Sequence, residues 1–158
     1  MWQRLQTIFL SAVVIIMIAC LFLPQWKHVD PSGIRYEYYP LHYTIYDGEE
    51  RNTSYFPYAI TAVLMAAAAT VAVQTIRRYD NRLTQIKLAA FNTLLLMGVM
   101  GTIVYFSYKL DSEFNQAGMS GMSRLGLWTV FAGVFCNWVA MRLIRRDEKI
   151  VRDSDRLR

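Results

Sequence analysis

Four stretches of the chain contain no Asp, Glu, Lys or Arg, and each is about long enough to cross a membrane. They cover residues 5–26, 52–76, 88–108 and 125–141. A helix rises about 1.5 Å per residue, so roughly 20 residues cross a hydrocarbon core of about 30 Å. Residues 10–23 and 59–73 are apolar on all sides, a pattern that a solvent-exposed helix of a soluble bundle could not tolerate. The sequence therefore predicts an all-α membrane protein.

The predicted fold is an antiparallel four-helix transmembrane bundle that forms one domain over residues 1–158. Its spans lie at about 5–26, 55–76, 88–108 and 124–144, the last extended past Arg142 by Leu143 and Ile144. Loops at 27–54 and 109–123 lie on one side of the membrane, whereas a loop at 77–87 and a tail at 145–158 lie on the other. Because these loops are short, neighbouring spans are expected to pack antiparallel.

The distribution of basic residues orients the predicted spans. The N-terminal stub, the loop 77–87 and the chain from Arg142 to its end hold 12 of the 17 Lys and Arg residues. Cytoplasmic segments of membrane proteins carry an excess of these residues. We therefore predict that both termini and the loop 77–87 are cytoplasmic, and that the loops 27–54 and 109–123 are on the opposite, periplasmic side.

The first periplasmic loop carries a strand pattern. Residues 34–39 and 41–46 are rich in Tyr, Ile and Thr and are bounded by turn residues at 31–33 and 47–48, which predicts a small β element. Residues 26–29 are a candidate for an additional strand. The sheet is expected to cap the outer end of the helices.

A proline near the second span indicates where that helix begins. Pro57 follows Asn52, Thr53 and Ser54, and proline is favoured in the first helical turn behind such capping side chains. The sequence therefore predicts that the helix begins near Ser54, with the three polar residues as its cap.

Small residues recur at helical spacing in two spans. Such stripes allow helix backbones to approach closely in lipid, where apolar association has little driving force. Packing within the chain is the favoured interpretation, and docking of a partner helix is the alternative. The residues chosen as packing positions are Ala62, Ala66, Gly126 and Gly133.

Two amide side chains, Asn92 and Asn137, are expected inside the membrane. An amide that faces lipid costs several kcal/mol unless it is hydrogen-bonded, so both residues must face protein or water. A hydrogen bond between the two helices is one arrangement. A structural role is favoured over a substrate contact.

The spans contain few groups that could perform chemistry. No Asp, Glu, Lys or His lies within a span, so a buried proton relay and axial histidine ligation of haem lack their residues. His28 and His42 lie in the periplasmic loop, and their spacing matches no metal-ligand motif. We expect no catalytic, metal-binding or cofactor-binding residues, no cofactor and no enzymatic activity.

The C-terminal tail is dense in charge of both signs. Leu143, Ile150 and Leu157 recur every seven residues, which predicts a helix that continues span four with a thin apolar stripe. The tail is interpreted either as a topology anchor or as a docking site for a cytoplasmic partner. Arg4 is expected to pair with Asp147 or Glu148. The interaction candidates at the two chain ends are Gln3, Arg4, Gln6, Arg145, Arg146, Asp147, Glu148, Arg152, Asp155 and Arg156.

Both chain ends carry recognisable motifs. The motif Trp2-Gln3-Arg4-Leu5-Gln6-Thr7, Asn137, the run 142–152 and Asp155-Arg156-Leu157-Arg158 resemble the family called domain of unknown function 4293. That resemblance implies a small four-span inner-membrane protein of Bacteroidota. It carries no assigned activity, and it favours an interaction at the cytoplasmic face over generic anchoring as the role of the chain ends.

The leading functional prediction is a non-catalytic accessory or assembly subunit of an inner-membrane protein complex. One alternative is a small oligomeric channel or transporter, and another is a periplasmic ligand sensor that uses the tyrosine-rich loop. The expected partners are the lipid bilayer, a membrane protein or a second copy of the chain, and a cytoplasmic partner at the tail. No nucleic-acid partner is expected.

Overall fold

The protein contains four helices and four strands in a computed structural model that describes residues 2–114 and 124–156, without the side chains of residues 2–4, 124, 152 and 154–156. The fold is mostly helical with a small antiparallel sheet between the first two helices, which confirms the coarse architecture predicted above. The elements in chain order are α1 Trp2–Leu21, β1 Trp26–Val29, β2 Arg35–Tyr38, β3 Tyr43–Asp47, β4 Glu50–Ser54, α2 Ala59–Arg77, α3 Arg82–Glu113 and α4 Arg124–Arg156.

Each helix packs against two others, so that α1 contacts α2 and α4, and α3 also contacts α2 and α4. Three of the helices are long and apolar enough to cross a membrane, at Ala59–Arg77, Arg82–Glu113 and Leu125–Val151. The apolar part of α1, Leu5–Leu21, is shorter. These lengths are compatible with a membrane protein. The helices share an apolar core that includes Met17, Met65 and Leu96, each fully or almost fully buried.

Helix α1 ends at Leu21 and not at the end of its apolar window at residue 26. Pro24 follows closely, and a proline restricts the preceding residue to extended conformations. The Gln25 side chain donates from Nε2 to the Leu23 carbonyl at 2.8 Å and to the Cys20 carbonyl at 3.4 Å. Gln25 therefore satisfies carbonyls that the end of the helix leaves without helical partners.

The four strands form one antiparallel sheet in the order β1-β2-β3-β4. The tight turn between β3 and β4 contains Gly48 with a φ of 58°, a backbone conformation that glycine adopts without steric cost. The two strands predicted around the tyrosines and the additional one at 26–29 are present. The fourth strand, β4, was not predicted, because residues 50–54 carry the polar side chains of a loop.

The predicted start of the second helix is wrong. Asn52, Thr53 and Ser54 lie in β4, where they pair with β3, and α2 begins only at Ala59, without a side-chain cap. Its early amides are satisfied by backbone carbonyls instead. The amide of Ala62 donates to the carbonyl of Pro40 in the β2–β3 turn at 3.1 Å, so the sheet itself caps the helix.

The sheet is attached to the helices by two side-chain hydrogen bonds and an aromatic cluster. Trp26 in β1 donates from Nε1 to Asp111 Oδ1 of α3 at 2.7 Å, and the hydroxyls of Tyr38 and Thr61 lie 2.9 Å apart. Trp26 and Tyr38 are fully buried beside Phe106. These contacts hold the sheet over the ends of α2 and α3, which we call the sheet end of the helices.

Helices α3 and α4 are longer than the apolar windows from which they were predicted. Helix α3 includes most of the predicted loop 77–87 and part of the predicted loop 109–123, so the turn between α2 and α3 occupies only residues 78–81. The side chain of Asn81 caps α3 by accepting a hydrogen bond from the Thr84 amide at 3.0 Å. Helix α4 continues through the charged tail to Arg156, as the seven-residue spacing predicts.

Two glycines of α4 allow α1 and the chain after it to approach closely. A Cβ atom added to Gly126 would lie 2.8 Å from Gln25 Cδ, and one added to Gly133 would lie 2.8 Å from Met17 Cε. Gln25 is held by hydrogen bonds, whereas the methionine ends in a flexible methyl group. The contact pattern runs in opposite directions along the two helices, so α1 and α4 are antiparallel.

We predict that Gly126→Ala lowers the thermal stability of the protein in mild detergent, because the added methyl group displaces the buried Gln25 amide and overpacking costs about 1–3 kcal/mol. Gly101→Ala is the matched control, since a Cβ atom at Gly101 meets no atom within 4 Å and alanine stabilises a helix by about 1 kcal/mol over glycine. Melting followed by circular dichroism compares the two variants. Equal melting temperatures would contradict the close contact.

Candidate functional site

The buried amides of Asn92 and Asn137 form a polar cluster between α3 and α4. Asn92 donates from Nδ2 to Asn137 Oδ1 at 3.0 Å. Asn137 in turn donates from Nδ2 to the Ala89 carbonyl at 3.0 Å and to Thr93 Oγ1 at 2.9 Å. Both asparagines are fully buried. The interhelical hydrogen bond that the sequence suggested is therefore present, and Asn137 contacts three groups of α3.

This asparagine cluster fixes how α3 and α4 lie along each other. A second contact nearer the end of the helices opposite the sheet, here called the tail end, joins Arg82 Nη1 to the Asp147 carbonyl at 2.8 Å. Arg82 precedes Asn92 along α3, whereas their partners on α4 follow in the opposite order, Asn137 before Asp147. The two helices are therefore antiparallel. With its donors bonded to neighbouring helix atoms, the cluster is arranged to hold helices together.

Three further buried amides were missed by the sequence analysis. Gln6, Gln25 and Gln85 are at most 5% exposed, and Gln85 Nε2 donates to the Thr75 carbonyl at 2.9 Å, which joins α3 to α2. Their position at the margins of the apolar windows was the available signal. A glutamine there is usually read as facing the headgroups, and only the packing shows that these three point inward.

The predicted interaction residues at the chain ends fall into three groups: those whose side chains are not described, one that is buried, and four that are exposed or half-buried. The side chains of Gln3, Arg4, Arg152, Asp155 and Arg156 lie outside the described part of the chain, as does the expected pairing of Arg4 with Asp147 or Glu148.

Among the remaining candidates, Gln6 is buried and so contributes no exposed surface. Arg145 and Arg146 are exposed, and Asp147 and Glu148 are half-buried. The structure thus brings one end of α4 against α3 through Arg82, a residue that the sequence analysis did not single out.

The small-residue stripe of α2 lies only partly inside the protein. Ala62 is buried, but Ala66 is exposed. Besides Ala62, the face of α2 that packs inside the protein carries Thr61, Met65 and Ala68. Both patterns recur at helical spacing, and the sequence offers no means to choose between them.

Ala62 and Ala66 line a groove of about 420 Å³ beside the sheet, here called the α2 groove. Its floor is made of small side chains from α2, and its walls come from the end of α1 and from the β2–β3 turn. The lining residues are Leu21, Phe22, Leu41, His42, Ala59, Ala62, Val63 and Ala66. Phe22 and Val63 are 76% and 67% exposed, so the groove opens to the surroundings of the protein.

The polar rim of the α2 groove is uncharged at neutral pH. Burial, and secondarily the nearby Arg51 charge, lowers the pKa of His42 below its ordinary value of 6.5. The neighbouring Tyr39 ring stacks on His42 with centroids 5.0 Å apart. Burial and a hydrogen bond to Glu37 raise the pKa of Tyr39 to about 12. The groove therefore presents an apolar floor with a neutral imidazole at one side.

Neither histidine of the sheet lies in a cluster of metal-ligating side chains. Within residues 2–114 and 124–156, no three His, Cys, Asp or Glu side chains come together in a way that could hold a metal ion. His28 packs against the Phe114 ring with centroids 4.7 Å apart, and His42 stacks on Tyr39. Both rings take part in aromatic packing.

Comparison with protein families places the chain in a known group. Residues 2–157 match the family described as a domain of unknown function (DUF4293). The chain belongs to this family. The match covers the residues of the sheet as well as those of the helices. A search of curated proteins finds no match.

We predict that Asn137→Leu destabilises the protein by about 1–2 kcal/mol, because it removes the acceptor of the buried Asn92 Nδ2 in an apolar interior. Asn52→Leu is the matched control, since Asn52 is exposed in β4. Thermal unfolding in detergent measures both variants. A melting temperature of the Asn137→Leu variant within error of the control would show that the cluster does not hold the helices.

Proposed function

We propose that the helices form an antiparallel four-helix transmembrane bundle in the bacterial inner membrane, with both chain ends in the cytoplasm. The charge-free stretch 88–108 of α3 covers roughly 30 Å, which equals the thickness of a hydrocarbon core. The excess of Lys and Arg at the tail end supports the orientation. The sheet would then lie on the periplasmic side.

In this arrangement α1 is the fourth span. Its described apolar part, Leu5–Leu21, covers about 25 Å as a helix. Gln25 and Trp26, which follow, are fully buried. Non-helical backbone is tolerated at membrane depth where it is buried in protein, and the Gln25 side chain satisfies the carbonyls at the end of α1. A shorter helix, followed by a non-helical segment in which Gln25 and Trp26 are buried, is therefore compatible with a crossing.

We further propose that the protein is a non-catalytic accessory or assembly subunit of an inner-membrane complex, and that it binds a transmembrane helix of another membrane protein in the α2 groove. The observation that carries this proposal is the open groove floored by small side chains of α2, of which Ala66 is exposed, Ala59 is half-buried and Ala62 is buried. Helix interfaces in lipid are enriched in small residues, because these allow backbones to approach and make dispersion contacts. The packing of α2 inside the protein uses other alanines, at 68 and 72, and leaves the Ala66 side of the helix open.

The shape of the groove favours a helix over a small ligand. Its floor extends from Ala59 to Ala66, two turns of α2 or about 10 Å along the axis. It begins beside the sheet and continues into the apolar part of the helix. A ligand sensor would use the same groove, but His42 is the one ionisable side chain in its lining, which leaves little to orient a polar ligand.

The bulky walls of the groove favour a different protein over a second copy of this chain. A symmetric contact between two α2 helices would bring Phe22 and Leu41 of each copy together. A partner helix with a protruding apolar ridge would instead fit between these side chains. For a channel or transporter, the asparagines that would line a polar path are already engaged, since Asn92 donates to Asn137 and Asn137 donates to α3.

We predict that Ala66→Leu reduces partner copurification from native membranes about tenfold, because filling a close helix contact costs about 1–3 kcal/mol. Ala132→Leu is the matched control, since Ala132 is also exposed on an apolar helix. Tagged protein is purified in mild detergent, and the copurified membrane proteins are quantified by mass spectrometry. The expected result is one partner that is lost with Ala66→Leu and retained with Ala132→Leu.

Two outcomes would contradict the proposal. The first is a protein that purifies alone, or whose companions are unaffected by Ala66→Leu. The second is copurification of two differently tagged copies of the chain that Ala66→Leu abolishes, because the groove would then join identical copies.

A further inference from the structure

A second surface lies on α4, a helix that does not line the α2 groove. Trp138, Met141, Arg142 and Arg145 line a cleft of about 210 Å³. Met141, Arg142 and Arg145 lie three, four and seven residues after Trp138, so the four occupy one face of the helix over two turns. The Arg142 guanidinium lies 5.3 Å from the centroid of the Trp138 ring, which holds the cation against an apolar wall.

The two arginines in this cleft form none of the ion pairs found among the described residues. The ion pairs found among the described residues join Lys27 to Glu37 and Lys109 to Glu113, and neither involves the cleft. Arg142 and Arg145 are exposed. Two guanidinium groups on one helix face bind a phosphate group well, because their planar forks match its oxygens.

The cleft lies where the apolar part of α4 ends. Residues 125–141 carry no charged side chain, and Arg142 is the first charge after them. An exposed aromatic stripe leads along α4 to the cleft, with Trp128, Phe131, Phe135 and Trp138 between 43% and 68% exposed. In the proposed membrane arrangement, this stripe faces acyl chains and the cleft is level with the cytoplasmic headgroups.

We propose that the cleft binds the phosphodiester headgroup of an anionic phospholipid, with the acyl chains lying along the aromatic stripe. The inference rests on the proposed membrane arrangement but does not depend on the partner of the α2 groove. A headgroup fits better than a free phosphate ion, because the stripe continues directly from the cleft. It also fits better than an acidic peptide, since α4 presents both a cationic end and an apolar path.

The full chain in detergent is mixed with equal amounts of phosphatidylglycerol and phosphatidylcholine of the same acyl composition. Native mass spectrometry then measures how much of each lipid stays bound. We expect preferential retention of phosphatidylglycerol. The double variant Arg142→Gln/Arg145→Gln is expected to bind it about 25-fold more weakly, since each basic residue near an anionic surface contributes roughly a fivefold change in affinity. Both residues are exposed, so the variant is expected to fold.

The matched control is Arg35→Gln/Arg51→Gln. These two arginines also contact an aromatic ring, that of Tyr46, at 5.4 and 5.6 Å, but they lie in the sheet. The control removes the same charge and is expected to retain the lipid. Unchanged binding in the Arg142→Gln/Arg145→Gln variant, or equal loss in the control, would overturn the site.

A competition measurement distinguishes binding of the lipid headgroup from binding of a free phosphate ion. Inorganic phosphate at the concentration of the lipid is expected to leave phosphatidylglycerol bound, and displacement at that concentration would overturn the lipid assignment. Membrane extraction of the same variants with alkaline carbonate distinguishes the two levels of failure. A protein that stays in the membrane but shows no lipid preference contradicts the headgroup site alone, whereas a protein that is extracted contradicts the transmembrane arrangement.

Discussion

The structure depends on the hydrogen bonds of Asn137 inside an apolar interior. An amide group without a partner in such surroundings costs several kcal/mol, so the positions of α3 and α4 that satisfy Asn137 are strongly preferred over neighbouring ones. Asn137 bonds to Asn92, to Thr93 and to the Ala89 carbonyl. Apolar contacts alone would permit sliding along the helix axes, because one aliphatic surface packs almost as well as the next.

With α3 and α4 fixed, the sheet end follows from the same requirement for polar partners. Gln25 satisfies the carbonyls at the end of α1 and packs on Gly126 of α4, while Trp26 donates to Asp111 of α3. The first strand therefore begins at the point where α1 is joined to two other helices. Because the sheet supplies the Pro40 carbonyl to the first turn of α2, the strands and helices stabilise each other.

The sequence predicted the features that depend on composition, and it suggested the bond between Asn92 and Asn137, but it did not predict the other features that depend on contacts. Charge-free windows located the helices, and alternating tyrosines located β2 and β3. By contrast, Ser54 and its polar neighbours were assigned to a helix cap because strand β4 is stabilised by pairing with β3 and not by its own side chains. Likewise Ala66 and Ala68 are the same residue type in the same apolar run, and only the packing of α2 shows that Ala66 is exposed and Ala68 is buried.

The interior of the helices is therefore used for packing, and their exposed faces are available for binding. The central claim is that the α2 groove receives a helix of another membrane protein. The most direct measurement is site-specific photocrosslinking in native membranes, with a photoreactive residue at Val63 in the groove and at Leu94 on the exposed face of α3. We predict a discrete protein adduct from Val63 and none from Leu94. Adducts with lipid alone at Val63, or the same protein adduct from both positions, would contradict it.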